Sequence, residues 1–375
     1  MAIDPIGATP ENGATPGAIP ASDASPAIRA IPASGASPAS GASATKGASG
    51  ASCANGGTVK RAVLRLGTRG SALALAQSGQ VARALEAAHP GLRVELVPIV
   101  TRGDRLAGDL AALGGKGLFT EELESGLLAG SLDFAVHSLK DLPVTLPAGL
   151  AVAAYPQRAD ARDVLVSEVA ADLAGLPAGA VVLTGSLRRR AQLLLHRPDL
   201  RVEALRGNVD TRLRRWRESG AAAVVLAAAG LHRLGRLAAD GLPIHPIAPE
   251  VLLPAPGQGT LALEALRDGR AAALCAALDD PATAATAGAE RRVVAAFGGD
   301  CTLPLGAWAR WEETAGGGVV LRLTALLATP DGRHAARGEG AGTTAEEAAA
   351  ACIAALRADG ADQVLARVHG ARATP

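Results

Sequence analysis

Within the stretch Asp133-Phe-Ala-Val-His-Ser-Leu-Lys-Asp-Leu-Pro143, an imidazole, a hydroxyl, an ammonium and a carboxylate follow in quick succession at His137, Ser138, Lys140 and Asp141. Such a set can bind an anion, stabilise a developing cation or move a proton. Phe134 to Val136 is an apolar run that predicts a short buried strand, and Pro143 cannot continue a ladder. A buried strand that delivers polar groups at its carboxyl end is how open α/β folds build a ligand crevice. An ordinary strand exit with solvated charges has the same local pattern. The rest of the chain weighs against it by supplying many cations, and few acids or aromatics, to accompany Asp141.

The elements that must position these groups repeat. Val63 to Gly67 predicts a strand, Gly67-Thr-Arg-Gly-Ser71 a turn, and Ala72 to Ala88 a helix with Ser71 as its N-cap. Arg69 and the free N–H groups of a helix start suit a carboxylate or phosphate. Arg93 to Val100 predicts the next strand. It leads to Thr101-Arg-Gly-Asp104 and a Gly-rich mobile loop, Leu106 to Gly117, around Lys116. The loop does not match GxxxxGK[ST], because Gly117 follows Lys116, so ATP binding is disfavoured. Phe119, Leu123 and Leu127 mark an amphipathic helix before the central strand.

After Tyr155-Pro156 the pattern restarts with a strand Val181 to Thr184, a turn at Gly185-Ser186 and a helix Leu187 to His196. Two similar strand–turn–helix units suggest two related α/β domains facing a shared cleft. The second is intensely basic from Arg188 to Arg217, and includes Arg189, Arg190, Arg206 and Arg212. Only Trp216 is interleaved as an aromatic and no nucleic-acid motif is present, so a small polyanion explains the cluster better than RNA. Val224 to Ala229 predicts a strand, and Leu253 to Thr260 a return connection. Beyond it, a helix from about Thr283 passes through Glu290 and Arg291 to a tight loop, Phe297 to Pro304, that carries Cys301. Strands from Val319 and about Arg333 follow, and then a helix opening with the capping box Thr344-x-x-Glu347 and stopping at Gly360. These last elements form a small α+β domain.

Composition bounds the function classes. A net charge of +1 gives no global attraction to nucleic acid or anionic membranes. With three Trp, one Tyr and three Phe, the core must be built from Ala, Leu and Val. No apolar run approaches the roughly 20 residues that cross a bilayer, so a soluble chain is expected. Cys53, Cys275, Cys301 and Cys352 lack CxxC spacing, so a metal site is not expected and a reducing cytoplasm is. Residues 1 to 57 are dominated by Ala, Gly, Ser, Pro and Thr, with almost no Leu, Val or aromatic residue to bury. They have neither the basic start and apolar stretch of a secretory signal nor an Arg-rich transit helix, and read as a disordered, dispensable tail or a mis-assigned start.

Taken in order, Gly-Thr-Arg-Gly-Ser71, Val-Thr-Arg-Gly-Asp104, Gly-Gly-Lys-Gly-Leu-Phe119, Ala-Val-His-Ser-Leu-Lys-Asp-Leu-Pro143, Gly-Ser-Leu-Arg-Arg189, Leu-Arg-Gly-Asn-Val209, Pro-Gly-Gln-Gly259 and the Cys301 loop resemble the porphobilinogen deaminase (hydroxymethylbilane synthase) family. The resemblance runs from about residue 60 to the end. It implies an α/β fold of three domains: two lobes like periplasmic binding proteins around a cleft, and a small C-terminal α+β domain. The implied boundaries are 60–156 plus about 258–275, then 157–257, then 276–375. A dipyrromethane cofactor is implied, joined by thioether to Cys301, with four porphobilinogen molecules condensed head to tail and ammonia lost each time. Asp141 is the implied catalytic carboxylate. Lys140, Ser138, Thr184, Ser186, Arg188 and Arg189 are implied to hold the cofactor, and Arg69, Ser71, Arg206, Arg212 and Arg233 the substrate. Lys116 and Phe119 are implied in the lid. A cytoplasmic monomer with a small-molecule substrate, and with no nucleic acid, membrane or metal, is the expectation.

The chemistry read from the residues agrees. Each pyrrole carries two carboxylates, so a growing chain accumulates negative charge that a cationic cleft can bind. Loss of ammonia leaves a cationic azafulvene, which one carboxylate can stabilise while accepting pyrrole N–H bonds. More acids would compete for the arginines. Two other classes use parts of the same pattern. A non-catalytic polyanion-binding protein would leave Cys301 unmodified, and an RNA-binding protein would retain RNA in a salt-sensitive way. The chain departs from the commoner family forms at Asp300, at Leu303-Pro-Leu-Gly306 and at Gly185, where Ser is frequent.

Overall fold

β1 (Ala62–Arg69) runs straight into α1 (Ala72–Ala88), and β2 (Leu92–Ile99) pairs parallel with β1 along its whole length. The structure is a computed structural model and describes residues 62–105, 119–239, 241–298 and 303–373, within one compact unit, Val59–Pro375. The expectations for residues 1–57, for Lys116 and for Cys301 fall outside the described residues. α2 (Glu121–Leu128) then leads to β3 (Phe134–Ser138), and β4 (Leu150–Ala154) follows. The second lobe holds β5 (Asp163–Val166), β6 (Val181–Leu183), α3 (Leu187–His196), β7 (Arg201–Glu203), α4 (Val209–Ser219), β8 (Ala223–Ala227), α5 (Ala228–Arg233) and β9 (Ile244–Pro246). β10 (Leu261–Leu266) and α6 (Arg270–Cys275) come next. The C-terminal part is α7 (Pro281–Ala296), β11 (Leu305–Glu313), β12 (Val319–Ala328), β13 (Ala335–Gly342), α8 (Ala345–Ala358) and α9 (Ala361–Ala373).

The two lobes share one topology. The first five-stranded sheet is ordered β2-β1-β3-β10-β4 and the second β7-β6-β8-β5-β9. In each, the first three strands are parallel and the fourth is antiparallel to the third. That antiparallel strand is β5 in one lobe and β10 in the other, so the chain passes between the lobes on either side of β5–β9. This is the two-lobed, binding-protein-like arrangement that the resemblance implies. A three-stranded antiparallel sheet, β11-β12-β13, forms the C-terminal α+β part, its core shared with α7, α8 and α9.

Local chemistry accounts for the helix starts. Ser71 and Ser186 both sit in extended backbone and cap α1 and α3, accepting from the N–H groups of Ala74 and Arg189. Asn208 and Asp280 do the same for α4 and α7. Thr344 caps α8, but the carboxylate of Glu347 reaches the N–H and hydroxyl of Thr343, one residue earlier than a capping box requires.

Several boundaries differ from the sequence reading. The expected Gly67–Ser71 turn is strand as far as Arg69, because that segment pairs with β2 through Ile99. The central strand extends past Val136 through His137 and Ser138, which pair with β10. Ala228 and Ala229, read as strand, begin α5. The helix capped by Thr344 stops at Gly360 as expected, at φ +90, and a further helix, α9, follows it.

Candidate active site

Asp141 lies at the end of a 3₁₀ turn, Leu139–Asp141, that follows β3 directly. Alternation along β3 divides its side chains between the two faces of the sheet. Phe134 and Val136 pack against α1 in one core cluster, while Ala135 packs with Leu123 and Leu127 of α2 in another. Ser138 points toward α1, where Gln77 donates to its hydroxyl at 3.0 Å. His137 points the other way, its Nε2 2.9 Å from the carboxylate of Glu264 on β10, with both residues buried. His137 is thus a structural partner of Glu264 and does not open onto the crevice.

Asp141 itself is exposed and makes neither a hydrogen bond nor an ion pair with another described residue. The other carboxylates in the motifs are occupied. Asp133 is forked by Arg65 and also accepts its N–H. Asp104 is held by Arg69 and by the Thr101 hydroxyl at 2.7 Å. Burial pushes both carboxyls up, and their guanidinium partners more than reverse this.

Two cations, one from each lobe, interact electrostatically with Asp141: Lys140 and Arg212. Lys140 is partly buried, and its Nζ donates to Gln258 Oε1 at 3.4 Å. Burial, opposed by Asp141 and reinforced by Arg189, lowers its pKa to about 8. Across the cleft, burial also lowers the pKa of Arg212, opposed by Asp141, and its Nε donates to Gly207 O at 2.7 Å. Burial lowers Arg233 to about 10, and its Nη2 donates to Gly259 O at 2.7 Å. Neither Arg212 nor Arg233 has an acidic ion-pair partner among the described residues. Two desolvated guanidiniums without a carboxylate are an anion site in waiting.

Arg188 and Arg189 are placed differently. Both are buried, and both pair with Asp163, which is 0 % exposed, at 2.8 Å and 2.7 Å. Arg188 also donates to Leu253 O, and Arg189 to Val225 O. Burial pushes the Asp163 carboxyl up, and the two guanidiniums drive it far below the usual range. This triad was not visible in sequence, because its members lie on β5 and α3 and nothing in their spacing links them. Gln258, 1 % exposed, was also missed as a site residue. Its Nε2 donates to Asp163 at 2.9 Å and to Ala161 O at 2.7 Å, which leaves Oε1 facing Lys140. Gly259 beside it sits at φ +88, and a Cβ there would lie 2.4 Å from Ala159 O. The two crossing segments therefore touch backbone to backbone.

Asp163→Asn should be among the most destabilising substitutions in the chain. It would leave two buried guanidiniums facing a neutral amide, and breaking such a pair costs about 3–5 kcal/mol. The native contribution is complete above the unfolded carboxylate pKa of about 4 and is lost as pH falls through the depressed folded value. Urea unfolding of wild type and variant at pH 7 and in acid would show this, with the gap narrowing in acid.

Of the remaining expected site residues, Arg69 stacks on the Phe119 ring at 4.2 Å while paired with Asp104. Ser71 spends its hydroxyl on the α1 cap. Thr184 Oγ1 accepts from Ser186 N at 3.3 Å, and Ser186 in turn caps α3. Arg206 is exposed, and its carbonyl accepts from Arg215. At Gly185 a Cβ would stand 2.5 Å from Leu205 O, which gives the departure there a steric basis. Leu303 and Leu305 are buried in the C-terminal core, so the apolar substitutions after Cys301 are packing changes.

Comparison with known proteins bears on this arrangement. The family model described as "Porphobilinogen deaminase, dipyromethane cofactor binding domain" matches residues 64–273, and the family's C-terminal domain matches 284–358. The chain belongs to the porphobilinogen deaminase family. Porphobilinogen deaminase from Roseiflexus sp. (strain RS-1) is 47% identical over 297 residues, covering 79% of this chain and 95% of that one. The enzyme of Roseiflexus castenholzii is 48% identical over 290 residues, covering 77% and 93%. That of Acidothermus cellulolyticus is 47% identical over 318 residues, covering 81% and 91%. As a member of this family the chain is a transferase of tetrapyrrole biosynthesis with a dipyrromethane cofactor, and it condenses four porphobilinogen molecules with loss of ammonia.

Proposed function

We propose that Asp141 is the catalytic carboxylate of this transferase. The observation that carries the assignment is that Asp141 is exposed, has no ion-pair partner among the described residues, and lies within electrostatic reach of Lys140 of one lobe and Arg212 of the other. A carboxylate there accepts the pyrrole N–H of a bound substrate and stabilises the positive charge left as ammonia departs.

Lys140, Ser138, Thr184, Ser186, Arg188 and Arg189 are assigned to the cofactor, and Arg69, Ser71, Arg206, Arg212 and Arg233 to the substrate. The described residues fit a polycarboxylate group: Lys140, Arg212 and Arg233 are partly desolvated cations without an ion-paired acid, and Thr184 and Ser186 add hydroxyls beside them. Arg188 and Arg189 act with their charge already shared with Asp163. When bound through Cys301, dipyrromethane supplies the pyrrole chain that substrate extends. Phe119 and Lys116 are assigned to the lid, and the stacking of Phe119 on Arg69 supports a link between lid and substrate site. The boundaries 60–156 plus 258–275, 157–257 and 276–375 are assigned to the three domains, in keeping with the membership of the three sheets.

The proposed setting is a cytoplasmic monomer without nucleic-acid or membrane partners. One chain supplies the groups on both sides of Asp141. Much of the basic stretch is engaged internally, as in Arg190 with Val202 O, Arg197 with Asp199 and Arg214 with Glu218. No described helix is long and apolar enough to cross a membrane.

An intact mass spectrum of the purified protein, with porphobilinogen consumption and ammonia release followed together, tests the reading. A mass excess of two pyrrole units and ammonia released in step with substrate are expected. An unmodified chain that binds porphobilinogen without consuming it would establish the non-catalytic alternative.

A further inference from the structure

Arg291 has no part in the site described so far, yet it grips the chain immediately after Asp141. From α7 its guanidinium donates to three consecutive carbonyls, Leu142 O at 3.3 Å, Pro143 O at 2.8 Å and Val144 O at 2.9 Å. Residues 142–144 belong to no helix or strand, so these carbonyls have no ladder partners. Arg291 forms no ion pair with a described carboxylate, and burial lowers its pKa, opposed by Tyr155 and Glu264. A desolvated cation spent on neutral carbonyls is a costly way to hold an arbitrary loop.

The neighbouring residue does the matching task on the other side of the cleft floor. Glu290, 0 % exposed, accepts from both ends of the Arg158 guanidinium at 2.7 Å and 3.1 Å, from Gly257 N at 2.6 Å and from Ala309 N at 2.8 Å. Gly257 directly precedes Gln258, the partner of Lys140. Successive residues of one helix thus hold the segment after Asp141 and the segment beneath Lys140. The same helix ends at Ala296, followed by Phe297 and by Gly298 at φ +61, just before the segment that contains Cys301. A continuous α-helix is a stiff spacer.

We propose that Arg291 is a positioning residue that fixes Asp141 relative to the helix of the C-terminal domain that leads toward Cys301 in sequence. This rests on the roles given above to Asp141 and Cys301. The requirement is for geometry rather than charge alone. A planar guanidinium can fork several carbonyls at once, whereas an ammonium on a shorter reach cannot reproduce all three contacts.

The test uses the full chain carrying Arg291→Lys and Arg291→Gln, with Val293→Ala in the buried core of the same helix as a stability control. Adduct content by intact mass, Tm, and kcat and KM for porphobilinogen per adduct-bearing molecule would be measured. Misplacement of a reacting group by an ångström can cost about 10²-fold. Arg291→Lys is therefore expected to load the adduct and keep KM within about twofold while losing about 10- to 100-fold in kcat. Val293→Ala is expected to lower Tm and leave kcat per loaded molecule unchanged. Wild-type kcat in Arg291→Lys or Arg291→Gln, or an equal kcat loss in Val293→Ala at a matched Tm, would overturn the proposal. A wild-type chain without the adduct would instead remove the assignment of Cys301, and this inference with it.

Discussion

Cys301→Ser protein is expected to fold, to lack the two-pyrrole mass and to release no measurable ammonia from porphobilinogen. A thioether requires a thiol that can reach its thiolate form and be approached, and a serine hydroxyl lies far above that range. The structure removes two of the competing thiols. Cys275 is fully buried at the end of α6 and Cys352 is fully buried in α8, and burial pushes both up to about 12. Their partners are core side chains of the first lobe and of the C-terminal sheet. Cys53 belongs to the Ala/Gly/Ser/Pro-rich stretch that precedes every motif of the site. Peptide mapping of the wild type should accordingly place the adduct on Cys301 alone. An adduct on Cys275, Cys352 or Cys53, or turnover by Cys301→Ser, would refute the assignment. Because Cys301 follows the helix that carries Glu290 and Arg291, the variant should unfold at a temperature near that of an equally unloaded wild type. The comparison separates loss of the group from damage to the domain.

The parts of this fold that were legible in sequence are those fixed by local chemistry. α1 and α3 were read to the residue, because Ser71 and Ser186 cap them and the chain turns polar or meets proline beyond them. The crevice end of β3 was legible for the same reason: an apolar run changes abruptly to His137, Ser138, Lys140 and Asp141. What stayed hidden depends on contacts between distant segments. Asp163 begins a four-residue strand with no alternation to betray it, and its meaning comes from Arg188 and Arg189 on a helix beyond another strand. A run of arginines in sequence cannot show which of them are neutralised inside the protein and which await an anion. That distinction separates Arg188 and Arg189 from Arg212 and Arg233, and it follows from burial and partners alone. The same limit applied to His137, whose place beside Asp141 in the motif suggested chemistry, whereas strand alternation turns it to Glu264.

Asp141→Asn is expected to lower the rate of condensation by about 10²–10³, the cost of losing one electrostatic partner of a developing charge, or roughly 3–4 kcal/mol. The substitution preserves shape and one carbonyl acceptor while removing the negative charge. Asp141 donates nothing to the stability of the turn through hydrogen bonds or ion pairs among the described residues, so folding should be little affected. Binding should suffer less than turnover, because Arg212 and Arg233 keep their own carbonyl contacts and remain available to substrate carboxylates. Removing Asp141 also removes a group that favours the charged forms of Lys140 and Arg212, so the ammonium of Lys140 should lose its proton more readily in the variant. Asp141→Glu keeps the charge and displaces it by one methylene, and it should retain more activity than Asn. Single-turnover kinetics on adduct-bearing variants, with porphobilinogen consumption and ammonia release recorded together, would measure the chemical step directly. If Asn matched wild type or exceeded Glu, the charge would have to come from elsewhere. Asp104 and Asp133 are poor substitutes, since Arg69 and Arg65 already neutralise them. The arrangement therefore leaves Asp141 as the carboxylate on which the rate should depend.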